Sequence, residues 1–562
     1  MDRPVAFMDV AVLPMDSERR LEHQVVLVKA GRITAVGTLG RVKVPRNARR
    51  IPGAGRTLLP GLTDTHVHLA TSTELPLYLA NGVTTVFNLD GRPAHLRWRQ
   101  QVEEGRRLGP RILSAGPTFG ETTTPAAAVA MVDAIAAAGY DAVKIYNQVG
   151  REEYPALIAE AKSRGLLLMG HVARKPGFAA TLAAGQSLAH AEEIVYTAFN
   201  PGVEETFGLA ALDEAKIPDV ARRVAASGIS VTLTLTCFHD IDRQAGDLDA
   251  FLKNPNIGYL PAWIQAGLQP GANRYHGRYT PQELAFIHAA YPFQLKLAKA
   301  LSDAGVPLMT GTDATNIGPI AGFSLHQELE ELVGAGLTPY QALRAATTAP
   351  AAYFRRPGER GTVEAGQRAD LLLVDGDPLQ DIRRVRALEG VMAKGRWTDK
   401  AGLASLLASV PAAHAALRTG LVAEFAADPA AAARRLGEGD PLGLLGGDVL
   451  AEVMAREGAG AYGRILDRLR QADPASPLLK EEVGNNLGYA LLQRRALPQA
   501  LEVFRRVCAD FPRSANAEDS LAEGLAKSGD TAGGRAHYRR ALELDPAYGN
   551  AAGARKWLEA HP

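Results

Sequence analysis

The stretch LLPGLTDTHVHL, residues 58–69, carries the reading of this chain. An apolar run and a Pro-Gly pair lead into His66 and His68, two imidazoles at i and i+2. On a strand that spacing sends both side chains to the same side. Neutral imidazole suits borderline divalent cations, so two of them on an inward face near a strand end can hold one. A bare H-x-H is a weak signal; entered through an apolar run and Pro-Gly it becomes much more specific.

Outward from this strand, between about residues 59 and 355, short apolar runs alternate with alanine-rich amphipathic segments. The runs are GVTTVFNL, DAVKIYN, GLLLMGHVA, QSLAHAEEIV, GISVTLTLT and VPLMTGTDA. Alternation repeated this often predicts an α/β fold, most simply a (β/α)8 TIM barrel over 59–355. Residues 5–13 (VAFMDVAVL) and 24–37 read as strands, and residues 361–398 return to short strands and turns. The two flanks, 1–58 and 356–400, are expected to build a small β-sandwich together.

Beyond residue 400 the chain turns rich in alanine and leucine and reads as helical. Phe504 and Tyr538 lie 34 residues apart, as do Pro512 and Pro546, and Leu487 and Leu521, while Gly488 aligns with Ala522. One period kept at several positions resembles tetratricopeptide repeats over 476–562, reached through a helical connector at 401–475. Two repeats bury little core alone, so they are expected to pack on the connector, on a second copy of the chain or on a protein partner.

Further polar residues close the barrel strands. His171 ends GLLLMGHVA, His190 sits in QSLAHAEE, and Asp313 ends VPLMTGTDA. One polar residue per strand end is how a barrel builds a site on its C-terminal face. A carboxylate at such a tip needs a cation or several donors. Lys144, in DAVKIYN, stands out because only 14 of the 62 basic residues are lysines. Its ammonium would face the interior that the histidines occupy, either snorkelling, paired, or replaced by an anionic group that could bridge two cations.

The order HVH, strand lysine, His, His, Asp resembles the amidohydrolase superfamily, in its imidazolonepropionase- and prolidase-related branch. The phrases GRITAVG, LLPGLTDTHVHL and GTVEAGQRADLLLVDGDPL agree, and the likeness spans about residues 5–398. It implies that His66 and His68 bind the more buried of two divalent metal ions, zinc by ligand chemistry. Lys144, carbamylated by CO2, would bridge both ions. His171 and His190 would bind the second, and Asp313 would ligate the first and handle protons. Many relatives carry a second histidine where this chain has Ala173, which puts the substrate in doubt.

The activity implied is hydrolysis of the amide bond in a dipeptide or N-acyl amino acid. Esterase, lactonase or cyclic-amide hydrolase chemistry on the same site, or a scaffold role for the tail, are the alternatives. Tyr146 and Asn147, after the lysine, are candidate substrate contacts. His239, read as following a strand ISVTLTLTCF, is a candidate for binding the oxyanion or substrate. The long connection 239–285, with Trp263, Tyr275, His276 and Tyr279, reads as a lid or substrate-binding insertion.

Composition narrows the remaining classes. Sixty-two basic against 61 acidic residues give a formal charge of +1, which argues against a nucleic-acid or anionic-membrane footprint. Cys237 and Cys508 alone cannot form a disulfide framework. No uninterrupted apolar stretch approaches the ~18–20 residues of a membrane span. A cytoplasmic location is expected as written, with export the alternative if a leader has been removed. P-loop, H-E-x-x-H and G-x-S-x-G motifs are absent.

Overall fold

A computed structural model of the chain describes residues 3–120, 124–199, 212–316, 318–355, 361–437, 444–458, 460–472, 474 and 476–562. It divides into two units, Met1–Leu260 with Arg274–Val410, and Pro261–Asn273 with Pro411–Pro562.

In the first unit five strands precede the barrel: β1 (Val5–Val12), β2 (Leu21–Lys29), β3 (Arg32–Thr38), β4 (Arg49–Pro52) and β5 (Arg56–Pro60). The barrel strands are β6 (Leu62–Val67), β7 (Val83–Asn88), β8 (Arg111–Ser114) and β9 (Ala142–Ile145). They continue with β10 (Leu167–Gly170), β11 (Ser187–Ala189), β12 (Val231–Thr232) and β13 (Leu308–Met309). Three more follow: β14 (Leu371–Asp375), β15 (Leu388–Ala393) and β16 (Arg396–Asp399).

The two flanks meet where β14 runs antiparallel to β5, Leu371 opposite Pro60 and Leu373 opposite Leu58. The order is β16-β15-β14-β5-β1-β2-β3, with β4 on β1. The pairing describes one continuous eight-stranded sheet, in which Phe7 of β1 meets Trp397 of β16 edge-on, ring centroids 5.2 Å apart. Period-two alternation ties this sheet to the barrel. Leu58, Leu371 and Leu373 pack with Phe7, Val26 and Met392, whereas Leu59, Leu372 and Val374 join the barrel's core.

The barrel strands pair in parallel as β6-β7-β8 and β9 through β13. Isolated bridges Ala115 to Ala142 and Phe119 to Ile145 connect the chain after β8 with β9. Val67 bridges Ala314, beyond β13, and the Thr65 amide donates to Thr310 O at 2.9 Å. The domain is TIM-barrel-like, with the tips of β6 and β9–β13 carrying the polar residues.

One expected strand stops early. ISVTLTLTCF yields only the two residues of β12, and a helix, Leu235–Gly246, begins inside the apolar run. Thr234 turns the chain at φ 50°, and Glu328 accepts from the Thr236 amide at 2.8 Å, satisfying a donor of the helix's first turn. His239 is therefore a helix residue.

The second unit is helical throughout its long elements. Gly488, in helix Glu481–Gln493, lies against Phe504 of helix Leu497–Asp510, and a Cβ there would come within 2.2 Å of the ring. Thirty-four residues on, Ala522 packs with Tyr538 between helices Ala515–Lys527 and Thr531–Leu544. The small-on-large contact thus recurs at the period read from the sequence. Three further helices, Pro429–Gly437, Leu444–Glu457 and Ala461–Ala472, lie within the expected connector, and Ala551–Ala560 ends the series. The long connection 239–285 is divided, because residues 261–273 group with these helices. There Trp263 meets the His414 ring edge-on, centroids 6.0 Å apart.

Helix Lys400–Ala427 revises the membrane reading in one respect. Over Lys400–Phe425 it is long and apolar enough to cross a membrane by length and composition, with mean hydropathy 1.3 and 22% of the window buried. Uninterrupted-run counting misses it because Lys400, His414 and Arg418 break the runs. Its buried residues Leu403, Val410, Leu421 and Phe425 fall at the spacing of a packed face, and the exposed ones are largely alanine and serine.

Candidate metal centre

The six side chains expected to hold metal, His66, His68, Lys144, His171, His190 and Asp313, converge. His66 and His68, at the end of β6, bring their Nε2 atoms to 3.2 Å. Asp313 Oδ1 lies 3.0 Å from each of those nitrogens. Lys144 Nζ, from β9, is 3.5 Å from His66 Nε2. The His190 ring stands 4.4 Å from that of His66 and 4.8 Å from that of His171, centroid to centroid. His66, His190 and Asp313 each offer a ligand atom within 4.8 Å of the others.

Their positions require unusual backbone. His190 and Asp313 sit at φ 74° and 62°, a region that costs non-glycine residues roughly 1–3 kcal/mol each. Gly170, immediately before His171, is at φ 151°, and a Cβ there would fall 2.1 Å from Ile145 O. Gly311 likewise lets the Asp313 loop close on β6, since a Cβ would meet the His66 Cβ at 2.8 Å. Asp64 staples the same two segments. It accepts from the Thr312 hydroxyl at 2.7 Å, the Thr312 amide at 3.1 Å and the His66 amide at 3.2 Å.

Neighbouring groups fix the ring tautomers. The Thr234 hydroxyl donates to Leu233 O, so at 2.8 Å it accepts from His190 Nδ1–H and leaves Nε2 as a lone pair. Asn147 Nδ2 is committed to Val172 O and Glu193, so its Oδ1 accepts from His171 Nδ1–H at 2.9 Å. Glu193 accepts from the Val172 amide at 3.0 Å and from Arg174 at 3.1 Å. Burial pushes the Glu193 carboxyl up, but His171 and Arg174 outweigh it and hold it down at about 2.

Burial holds the His66 ring neutral, with its pKa lowered to about 3, and drives His190 down as well. Burial lowers Lys144 to about 8. It would raise Asp313, yet the His66 and His68 rings hold that carboxyl well below the usual range. A divalent cation fits this donor set. Buried Asp313 Oδ1 has no hydrogen-bond partner although two imidazole nitrogens stand beside it. Asp313 Oδ1 and the two Nε2 atoms all lie within 3.2 Å of one another, and a cation among such donors would be held by all three.

The other oxygen of Asp313 is held separately. Oδ2 accepts from Asn316 Nδ2 at 2.9 Å and from the buried Cys237 thiol at 3.5 Å. The Tyr146 ring lies against the His171 ring, centroids 4.4 Å apart and tilted by 39°, and is 36% exposed, which places it at the rim. His239 is not brought to the cluster. Its Nδ1 is 2.6 Å from Glu331, and its ring stacks on Tyr291 at 4.3 Å, on the helix layer. Ala173 is fully buried in the apolar cluster with Phe119 and Tyr154.

Residues 57–398 match the Amidohydrolase family, and the chain belongs to it. No curated protein sequence matches the chain. Among solved structures it is similar to a putative prolidase from Bifidobacterium longum, at 24% identity and TM-score 0.54, covering 73% of this chain and 99% of that one. A bottromycin amidohydrolase aligns at 23% identity and TM-score 0.60, covering 74% and 91%. A Xaa-Pro dipeptidase aligns at 17% identity and TM-score 0.54, covering 70% and 100%.

Proposed function

We propose that the chain hydrolyses the amide bond of a dipeptide or N-acyl amino acid with two divalent cations, zinc by ligand type. His66, His68 and Asp313 would hold one, His171 and His190 the other, and Lys144, as its carbamate, would lie between them. The observation that carries this reading is the convergence of buried acceptor atoms on one point, Asp313 Oδ1 unpartnered among them. The likeness to a prolidase and a Xaa-Pro dipeptidase supports the choice of small amides. Bound cations supply Lewis acidity and a water that ionises near neutral pH.

The chain's own residues complete the reaction. Asp313 Oδ2 takes the proton of the attacking water and returns it to the departing nitrogen, so no charged amide anion has to leave. Asn316 and the Cys237 thiol orient that oxygen. Tyr146 shields the rim over His171. Asn147 acts through His171, so Asn147→Ala is expected to weaken binding of one metal by about 10–100-fold, read by titration against a chelator. Unchanged affinity would remove Asn147 from this role.

The reading is tested by metal analysis together with a mass-spectrometric screen of dipeptides, N-acyl amino acids and their ester counterparts. Amide turnover with two ions per chain is expected. Ester or lactone turnover without amide cleavage, or a single ion at full activity, would overturn it.

A further inference from the structure

Two ionisable side chains beside the centre make no ion pair among the described residues. Glu192 lies two residues after His190, in the first turn of helix Ala191–Ala198. Its neighbour Glu193 is fully engaged with Val172, Asn147 and Arg174, whereas Glu192 Oε2 is buried without a hydrogen-bond partner among the described residues. A carboxylate oxygen withdrawn from water and left unpaired is costly, so a donor or a cation is owed to it. Asp313 and the Cys237 thiol lie within its electrostatic reach.

The opposite charge comes from the insertion. Arg274 is exposed, its guanidinium 5.3 Å above the Tyr275 ring, and among the described residues it makes no ion pair. Tyr275 is buried in a cluster with Cys237, the residue whose thiol reaches Asp313 Oδ2. Arg274 also acts electrostatically on Tyr146, whose ring lies against that of His171. An acid and a base, neither in an ion pair among the described residues, therefore border the same centre on different elements. Neither belongs to the metal-ligand set.

Building on the amide-hydrolase reading above, we infer that the substrate is an unblocked dipeptide whose free ammonium pairs with Glu192 and whose carboxylate pairs with Arg274. An N-acyl amino acid would leave Glu192 unpaired, and a C-terminal amide would leave Arg274 without its anion. Recognition by charged pairs at both ends discriminates strongly, because a missing partner leaves a desolvated charge behind.

The test takes the best dipeptide of the screen, its N-acetyl form and its C-terminal amide, with the full-length metal-loaded enzyme. Wild type is expected to favour the free dipeptide over either blocked form by at least tenfold in kcat/KM. Glu192→Gln should cut the free-to-acetylated ratio at least tenfold, mainly through KM, and Arg274→Met the free-to-amidated ratio likewise. Calorimetric binding of a non-cleavable ketomethylene isostere and its N-acetyl form gives a second readout that needs no turnover. Equal handling of free and N-acetylated compounds by wild type, or an equal loss on both in Glu192→Gln, would overturn the inference while leaving amide hydrolysis standing. Absence of amide turnover defeats the broader reading instead, and the isostere still reports on the charged subsites.

Discussion

In Lys144→Ala, metal content should fall from two ions per chain to one or none, and amide turnover should drop by at least ~100-fold, the scale reached by losing even a supporting group of a metal ligand. Lys144 is 1% exposed, its Nζ sits 3.5 Å from His66 Nε2, and among the described residues it makes no ion pair. A buried unpaired ammonium beside imidazoles that would hold cations is the wrong charge in the wrong place. Reaction of the deprotonated amine with CO2 forms a nitrogen–carbon bond, releases two protons in all from the ammonium form, and converts that cation into an anion with two oxygens. A short acid such as acetate or propionate should restore part of both metal content and turnover, because it can place a carboxylate in the space left by the side chain. Two metals retained at full turnover in Lys144→Ala would refute the assignment.

Much of this centre was legible because the barrel converts strand ends into spatial neighbours. Once H-x-H was placed on a strand and His171, His190 and Asp313 at later strand tips, topology alone put them on one face. The flanks joined for a similar reason. Leu58–Pro60 and Leu371–Val374 are apolar on both sides, the pattern of a strand with one face in each of two cores.

What escaped the sequence depends on backbone conformation or on second contacts. The run ISVTLTLTCF alternates like a strand, and nothing in it announces that Thr234 turns left-handed and that Glu328, nearly a hundred residues away, caps the following helix. His239 was displaced from the site by that one turn. Asn147 read as a substrate contact because it follows Lys144, yet its amide is engaged with His171, Val172 and Glu193. HAEE at 190–193 is no H-E-x-x-H motif, since it has no second histidine. Its second glutamate is the residue that anchors Asn147 and Arg174. A carboxylate three residues after a strand-end histidine was the available signal.

Asp313→Asn should lower kcat by about 10²–10⁴-fold, the range for removing a positioned acid–base group. The substitution preserves shape, so the Asn316 and Cys237 contacts to one side-chain atom and the proximity of His66 and His68 to the other remain geometrically available. What disappears is the negative charge and the ability to take up a proton. Both functions meet on this side chain because its two oxygens face different ways, Oδ1 toward the imidazoles and Oδ2 toward Asn316 and Cys237. Metal content measured beside the rate separates them. With two ions retained, the loss in kcat reports the proton-transfer role alone, and KM should move little. With the buried ion lost as well, added metal should restore occupancy but not turnover. Turnover within tenfold of wild type at full metal occupancy would assign the proton transfer to another group and reduce Asp313 to a ligand.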